Sequence, residues 1–157
     1  MLKVDVPGWR QLDLKHLLLD VNGTLSRDGV LLGGVEARVA ELRSILQVVL
    51  LSADTFGRLD AIAAQLQVQA QRLRAGEPEA EQKGRAVREL GSNRVVAIGN
   101  GANDVAMLRE AALSIAVLGP EGLSTHALRE ADVVTASIED ALDLPINPKR
   151  LVATLRR

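Results

Sequence analysis

The chain has 157 residues, of which 47% are hydrophobic and 25% charged, with a formal net charge of -1. That length gives one domain with a real core, and that balance is globular rather than disordered. The absence of cysteine excludes disulfides, thiolate metal sites and a Cys nucleophile, and with Trp9 and Phe56 as the only aromatic residues a base-stacking surface is excluded too.

In chain order, the pattern alternates short apolar runs with amphipathic segments. Leu2 to Val6 reads as an edge strand and His16 to Asp20 as a buried one. Ser26-Arg27-Asp28-Gly29-Val30 reads as a hairpin turn beside the end of that strand. Val35, Val39, Leu42 and Leu46 make one helical face, and Leu59, Ile62, Ala63 and Leu66 make another. Strands are expected at Val48 to Ser52, Val68 to Leu73, Val95 to Gly99, Ser114 to Leu118 and Asp132 to Val134. Ser137 and Asp140 form a capping-box pair, and Asn147-Pro148 starts a last helix ending near Leu155. Val48-Val49-Leu50-Leu51 is apolar at every position, as in a strand covered on both faces. The expected architecture is α/β: a three-layer Rossmann-like fold with a mainly parallel central sheet, in one domain over residues 1–157.

In open α/β sheets, sites form beyond the carboxyl ends of the strands. Four segments fall there. Leu17-Leu18-Leu19-Asp20-Val21-Asn22-Gly23-Thr24 delivers a carboxylate into a tight glycine loop, where it can attack phosphorus while loop N–H groups hold phosphate oxygens. Ser52 ends the next strand and offers a hydroxyl or serves as a cap. Lys83 shares a helical face with Val87 and Leu90, so a cation points inward and needs an anionic partner, unless it snorkels. Gly99-Asn100-Gly101-Ala102-Asn103-Asp104 presents hard oxygen ligands of the kind Mg²⁺ takes, with Asp104 also placed to cap the following helix. Asp54 is assigned to helix capping with Thr55, and His16 and His126 to structural roles.

In this order, the four segments resemble the haloacid dehalogenase superfamily: D-x-x-G-T, then Ser or Thr, then Lys, then G-[DN]-G-x-N-D. The match is similar in feel to the phosphorylation domain of P-type ATPases and to small soluble proteins resembling that domain. The resemblance implies a Mg²⁺-dependent phosphohydrolase working through an aspartyl phosphate on Asp20. By it, Ser52 and Lys83 neutralise the transferred group, and Val21, Asn22, Gly23, Thr24, Ala53 and Asn103 complete the phosphate site. Asp20, Asn22 (through its carbonyl), Asn100 and Asp104 would hold the Mg²⁺.

Two residues depart from the family pattern. The general acid/base Asp usual two positions after the nucleophile is Asn22 here, and the usual metal-ligating Asp is Asn100. Slow turnover is the consequence, or else a catalytically weak or silent regulatory or interaction module. Only short segments separate Thr24, Ser52 and Lys83, so no cap domain fits. A phosphorylated substrate of macromolecular size, or a neighbouring subunit of a homo-oligomer, would then cover the open site. Dispersed Lys and Arg argue against nucleic acid. No signal-like stretch or run of ~20 apolar residues argues for a membrane, and a cytoplasmic location is expected.

Overall fold

The computed structural model describes all residues, Met1–Arg157. Strands β1 (Leu2–Val6) and β2 (Arg10–Leu14) form an antiparallel hairpin in a sheet of their own. This corrects the expectation of an edge strand on the main sheet. The alternate residues Val4, Val6, Leu12 and Leu14 are buried, so one face of the hairpin covers the main core while the other meets solvent.

The chain then enters β3 (His16–Asp20), and a second hairpin follows, β4 (Ser26–Arg27) and β5 (Val30–Leu31). Its two linking residues, Asp28 and Gly29, both have positive φ (51° and 79°), the conformation a two-residue hairpin loop requires and Asp-Gly supplies. Helix α1 (Val35–Leu42), β6 (Gln47–Ser52), α2 (Leu59–Leu66), β7 (Gln69–Arg72) and α3 (Glu79–Leu90) come next. They are followed by a 3₁₀ turn (Ser92–Arg94), β8 (Val95–Gly99), a second such turn (Ala102–Asp104), α4 (Val105–Glu110) and β9 (Leu113–Val117). Last come α5 (Thr125–Glu130), β10 (Val133–Thr135), α6 (Ile138–Ile146) and α7 (Pro148–Leu155). The Ser137 hydroxyl accepts the Asp140 N–H and donates to the Asp140 carboxylate, closing the expected cap of α6.

Six strands form one parallel sheet in the order β10-β9-β8-β3-β6-β7. Side-chain alternation sorts its residues into two cores. Leu17, Leu19, Leu50 and Ile98 face α1, α2 and α6, whereas Leu18, Leu51 and Ala97 face α3, α4 and α5. Both faces are therefore covered, which accounts for the unbroken apolar runs and gives the three expected layers. The outermost strand β7 has the sequence Gln-Ala-Gln-Arg and is exposed throughout; these polar side chains protect an open sheet edge from further pairing.

Register sets the site. In β3, Asp20 stands opposite Leu51 of β6, and Leu19 stands opposite Ile98 of β8. Ser52 and Gly99 therefore end their strands within one residue of Asp20, on the same edge of the sheet. No helix is long and apolar enough to cross a membrane.

Candidate active site

At that edge lies an open cleft of about 590 Å³, lined among others by Asp20, Asn22, Ser52, Ala53, Lys83, Asn100 and Asn103. Its centre is an ion triad. Lys83 Nζ lies 2.6 Å from Asp20 Oδ1 and 2.6 Å from Asp104 Oδ1, and Lys83 is only 1% exposed. The inward cation deduced from helical spacing thus has two anionic partners from two different strand ends and does not snorkel. The next residue, Gly84, explains how α3 comes so close: a methyl there would meet Ala106 Cβ of α4 at 3.0 Å. Gln82, on the preceding position, fixes the entry loop by exchanging hydrogen bonds with the Arg74 main chain and the Glu77 carbonyl.

Burial pushes the Asp20 carboxyl up to about 6, against the pull of the Lys83 ammonium and with the push of the Asp104 charge. Burial depresses the Lys83 ammonium, but the charges of Asp20 and Asp104 outweigh it and hold the lysine protonated beyond its ordinary range. With all three ionised, the triad carries one net negative charge.

Asp104 does not cap α4 as expected. Its Oδ2 accepts the N–H groups of Asn100 and Gly101, each at 2.9 Å, and its Oδ1 faces Lys83. Both oxygens are engaged, the residue is fully buried, and the carboxylate turns back onto the loop instead of capping the helix ahead. In this arrangement Asp104 is the anchor that holds Lys83 and the Asn100 loop.

The remaining candidates divide in two. Asn22, Ser52, Ala53 and Asn103 line the cleft, whereas Val21, Gly23 and Thr24 are buried and do not line it. The Val21 carbonyl accepts the N–H groups of Thr24, Leu25 and Ser26, so it serves to build the turn. Ser52 Oγ accepts the Asp54 N–H at 2.9 Å. Asp54 stays out of the cleft: its Oδ1 accepts the Leu59 N–H and its Oδ2 pairs with Arg72, while Thr55 lines the cleft instead. His16 begins β3, at the end opposite Asp20, and His126 lies on α5.

The oxygens near Asp20 fit a hard divalent cation. The Thr24 hydroxyl is 2.9 Å from Asp20 Oδ2 and 3.0 Å from Asn100 Oδ1 and has one hydrogen for the two, so one buried oxygen goes without it. No main-chain N–H donates to the Asn22 carbonyl. No three Asp, Glu, His or Cys side chains converge there, so the set is largely neutral oxygen.

Sequence reading did not find Thr55, Glu79, Glu121 or Ser124, all of which line the cleft. Glu79 accepts from Asn103 Nδ2 at 2.6 Å. Glu121 and Ser124 come from the segment after β9, which packs over the Asp20 loop: Ser124 N–H donates to the Asn100 carbonyl, and Asn100 Nδ2 donates to the Gly122 carbonyl. Nothing in the local spacing signals that approach.

A family described as haloacid dehalogenase-like hydrolase matches residues 1–112 of the chain. The chain belongs to that family. It is 44% identical over 69 residues to an uncharacterized protein of Methanocaldococcus jannaschii, covering 44% of this chain and 74% of the other. Among solved structures, it is similar to a 3-deoxy-D-manno-octulosonate 8-phosphate phosphatase from Moraxella catarrhalis, in complex with magnesium ion, phosphate ion and KDO. The TM-score is 0.63 at 18% identity, covering 91% of this chain and 94% of that one. It is also similar to a phospho-aspartyl intermediate analogue of phosphoserine phosphatase, with a TM-score of 0.65 at 16% identity, covering 83% and 98% of the two chains. At such identities these structures speak for the fold, and the haloacid dehalogenase-like chain described here shares it without a cap domain.

Proposed function

We propose that this protein is a phosphohydrolase that works through an aspartyl phosphate on Asp20 and depends on a divalent cation, Mg²⁺ in the first instance. The observation that carries the reading is the pairing of Asp20 with Lys83 at 2.6 Å, on the floor of a cleft where loop and strand ends meet. Phosphoryl transfer needs positioning and neutralisation of negative charge more than covalent help, and a nucleophilic carboxylate beside a buried ammonium supplies both.

In the first step a carboxyl oxygen of Asp20 bonds to phosphorus as the bond to the leaving oxygen breaks. Ser52 and the N–H of Ala53, which line the cleft, would bind the phosphoryl oxygens, with Lys83 balancing their charge. Water then attacks the acyl phosphate, releasing inorganic phosphate and restoring Asp20. Bound Mg²⁺, held by Asp20, the Asn22 carbonyl, the Asn100 amide oxygen and Asp104, directly or through water, would offset charge on the phosphoryl group. The Asn22 amide does not titrate and cannot serve as a general acid, so the leaving oxygen takes its proton from water. That favours acyl phosphates, activated aryl phosphates and anhydrides over alkyl phosphates by as much as ~10²–10⁴ in rate. The open cleft suits a macromolecular phosphorylated substrate or closure by a second subunit.

The test is turnover of acetyl phosphate and an aryl phosphate, with Mg²⁺ and with chelator, for the wild type and Asp20→Asn. Turnover that needs both Mg²⁺ and Asp20 supports the proposal; turnover unchanged in Asp20→Asn defeats it. A second reading, a silent regulatory or interaction module, is favoured by the two asparagines at positions 22 and 100. It predicts a folded wild type with no Asp20-dependent turnover.

A further inference from the structure

The segment joining β9 to α5 carries an acidic residue directly over the nucleophile loop. Gly119 and Gly122 close a turn, with the Gly122 N–H donating to the Gly119 carbonyl at 3.0 Å and Gly122 at φ 88°. This turn is clamped from two sides. At Gly119 the Gly23 carbonyl occupies the space where a side chain would begin, so only glycine lets the two backbones touch. At Gly122 the carbonyl accepts from Asn100 Nδ2 at 3.1 Å.

Between these clamps, Glu121 is delivered to the cleft. A methyl group on Gly23 would collide with Glu121 Oε2 and stand 3.0 Å from Asn100 Nδ2, so the Glu121 carboxylate and the Asn100 amide both approach the Gly23 backbone. That carboxylate has no counter-charge in the cleft. Lys83 is the one cationic side chain lining it, and both of its anionic partners are already in place. The same Asn100 side chain reaches the buried oxygens: its Oδ1 shares the single hydrogen of the Thr24 hydroxyl with Asp20 Oδ2, so one of the two goes without it.

We propose that Glu121 supplies to the cation site the negative charge that Asn100, a neutral amide, does not, acting on the ion directly or through one of its waters. The proposal rests on the phosphohydrolase reading for the identity of the site, and adds a ligand from a segment outside its sequence motifs. A long, exposed glutamate on a clamped turn can swing toward the ion without disturbing the fold. That is why a charge missing from the Asn100 loop can be restored from the neighbouring one.

The experiment is Mn²⁺ binding to the full chain, followed by electron paramagnetic resonance and competed with Mg²⁺, which reads affinity without turnover. Wild type, Glu121→Gln, Asn100→Asp and the double variant are compared, with thermal melting to show that each is folded. The proposal predicts that Glu121→Gln weakens Mn²⁺ about ten- to a hundred-fold, as loss of a supporting group around a metal commonly does. It also predicts that Asn100→Asp restores binding in the double variant. Equal affinity in wild type and folded Glu121→Gln overturns the role of Glu121 and leaves the phosphohydrolase reading standing. No Mn²⁺ binding by the wild type overturns both.

Discussion

Lys83 Nζ and Asp20 Oδ1 stand 2.6 Å apart, with both residues almost wholly withdrawn from solvent, and Asp104 closes the other side of the lysine at the same distance. Two carboxylates from neighbouring strand ends therefore depend on one helix-borne cation. Removing it leaves buried negative charges facing each other. Lys83→Met is expected to cost about 3–5 kcal/mol of folding stability at neutral pH, the usual loss when one partner of a buried ion pair is deleted. Adding Asp104→Asn should recover part of it. Urea unfolding of the single and double variants measures both, and a folded Lys83→Met of wild-type stability would mean that the triad is not formed in solution.

The elevated Asp20 carboxyl gives a pH dependence of defined sign. Its pKa rises from an ordinary 3.8 to about 6 in the folded chain, so between those values the folded state holds the proton more tightly than the unfolded one. Stability contributed by this group is thus lost as pH rises from about 4 to about 6, and is flat outside the window. Thermal melting of wild type and Asp20→Asn with chelator present should show the wild type losing ground to the variant across that interval. A wild type that gains ground there has a depressed Asp20 instead.

Gly99 is where the β8 strand meets the anchor carboxylate. A methyl there would stand 2.5 Å from Asp104 Cγ and 2.9 Å from its Cβ, too close to coexist with the hydrogen bonds to Asn100 and Gly101. Gly99→Ala should lower stability by about 1–3 kcal/mol through overpacking. Gly33→Ala is the control, since no atom lies within 4 Å of the added methyl, and should change stability by less than about 0.5 kcal/mol. Equal effects of the two would contradict the tight packing of Asp104.

Asn22 lines the cleft where a proton donor would act on the leaving group. Restoring a carboxyl with Asn22→Asp is expected to raise the hydrolysis of alkyl phosphates at least about tenfold, toward the ~10²–10⁴ that general acid help provides, while aryl phosphates gain less. Steady-state rates for both substrate classes decide it; an equal gain in each, or none in either, would show that leaving-group protonation does not limit this protein.

Much of this arrangement was legible in the letters because parallel strands buried on both faces leave an unmistakable apolar run, and the runs of β3 and β6 end on a polar residue. Asp20, Ser52 and the loop after Gly99 were found that way, and Lys83 by its place on the buried side of a helix. The β2 strand was missed: Arg-Gln-Leu-Asp-Leu alternates like any half-exposed segment, and its pairing with Leu2–Val6 is set by a turn, with the Trp9 N–H donating to the Val6 carbonyl. Glu121 was missed for a different reason. Its approach to Gly23 depends on a contact between segments about a hundred residues apart, made through backbone at Gly119, and no local pattern encodes it. Asp104 was found, but it does not cap α4 as spacing suggested, because sequence spacing fixes the position of a carboxylate and not which donors claim its oxygens.

The measurement that bears most directly on the central claim is fluorine NMR of the protein with Mg²⁺ and beryllium fluoride, followed by a crystal structure of the product. The account predicts a stable adduct bonded to one Asp20 carboxyl oxygen, with a fluorine near Lys83, that is absent without Mg²⁺ and in Asp20→Asn. An adduct on another residue, or a folded wild type that forms none, would contradict it.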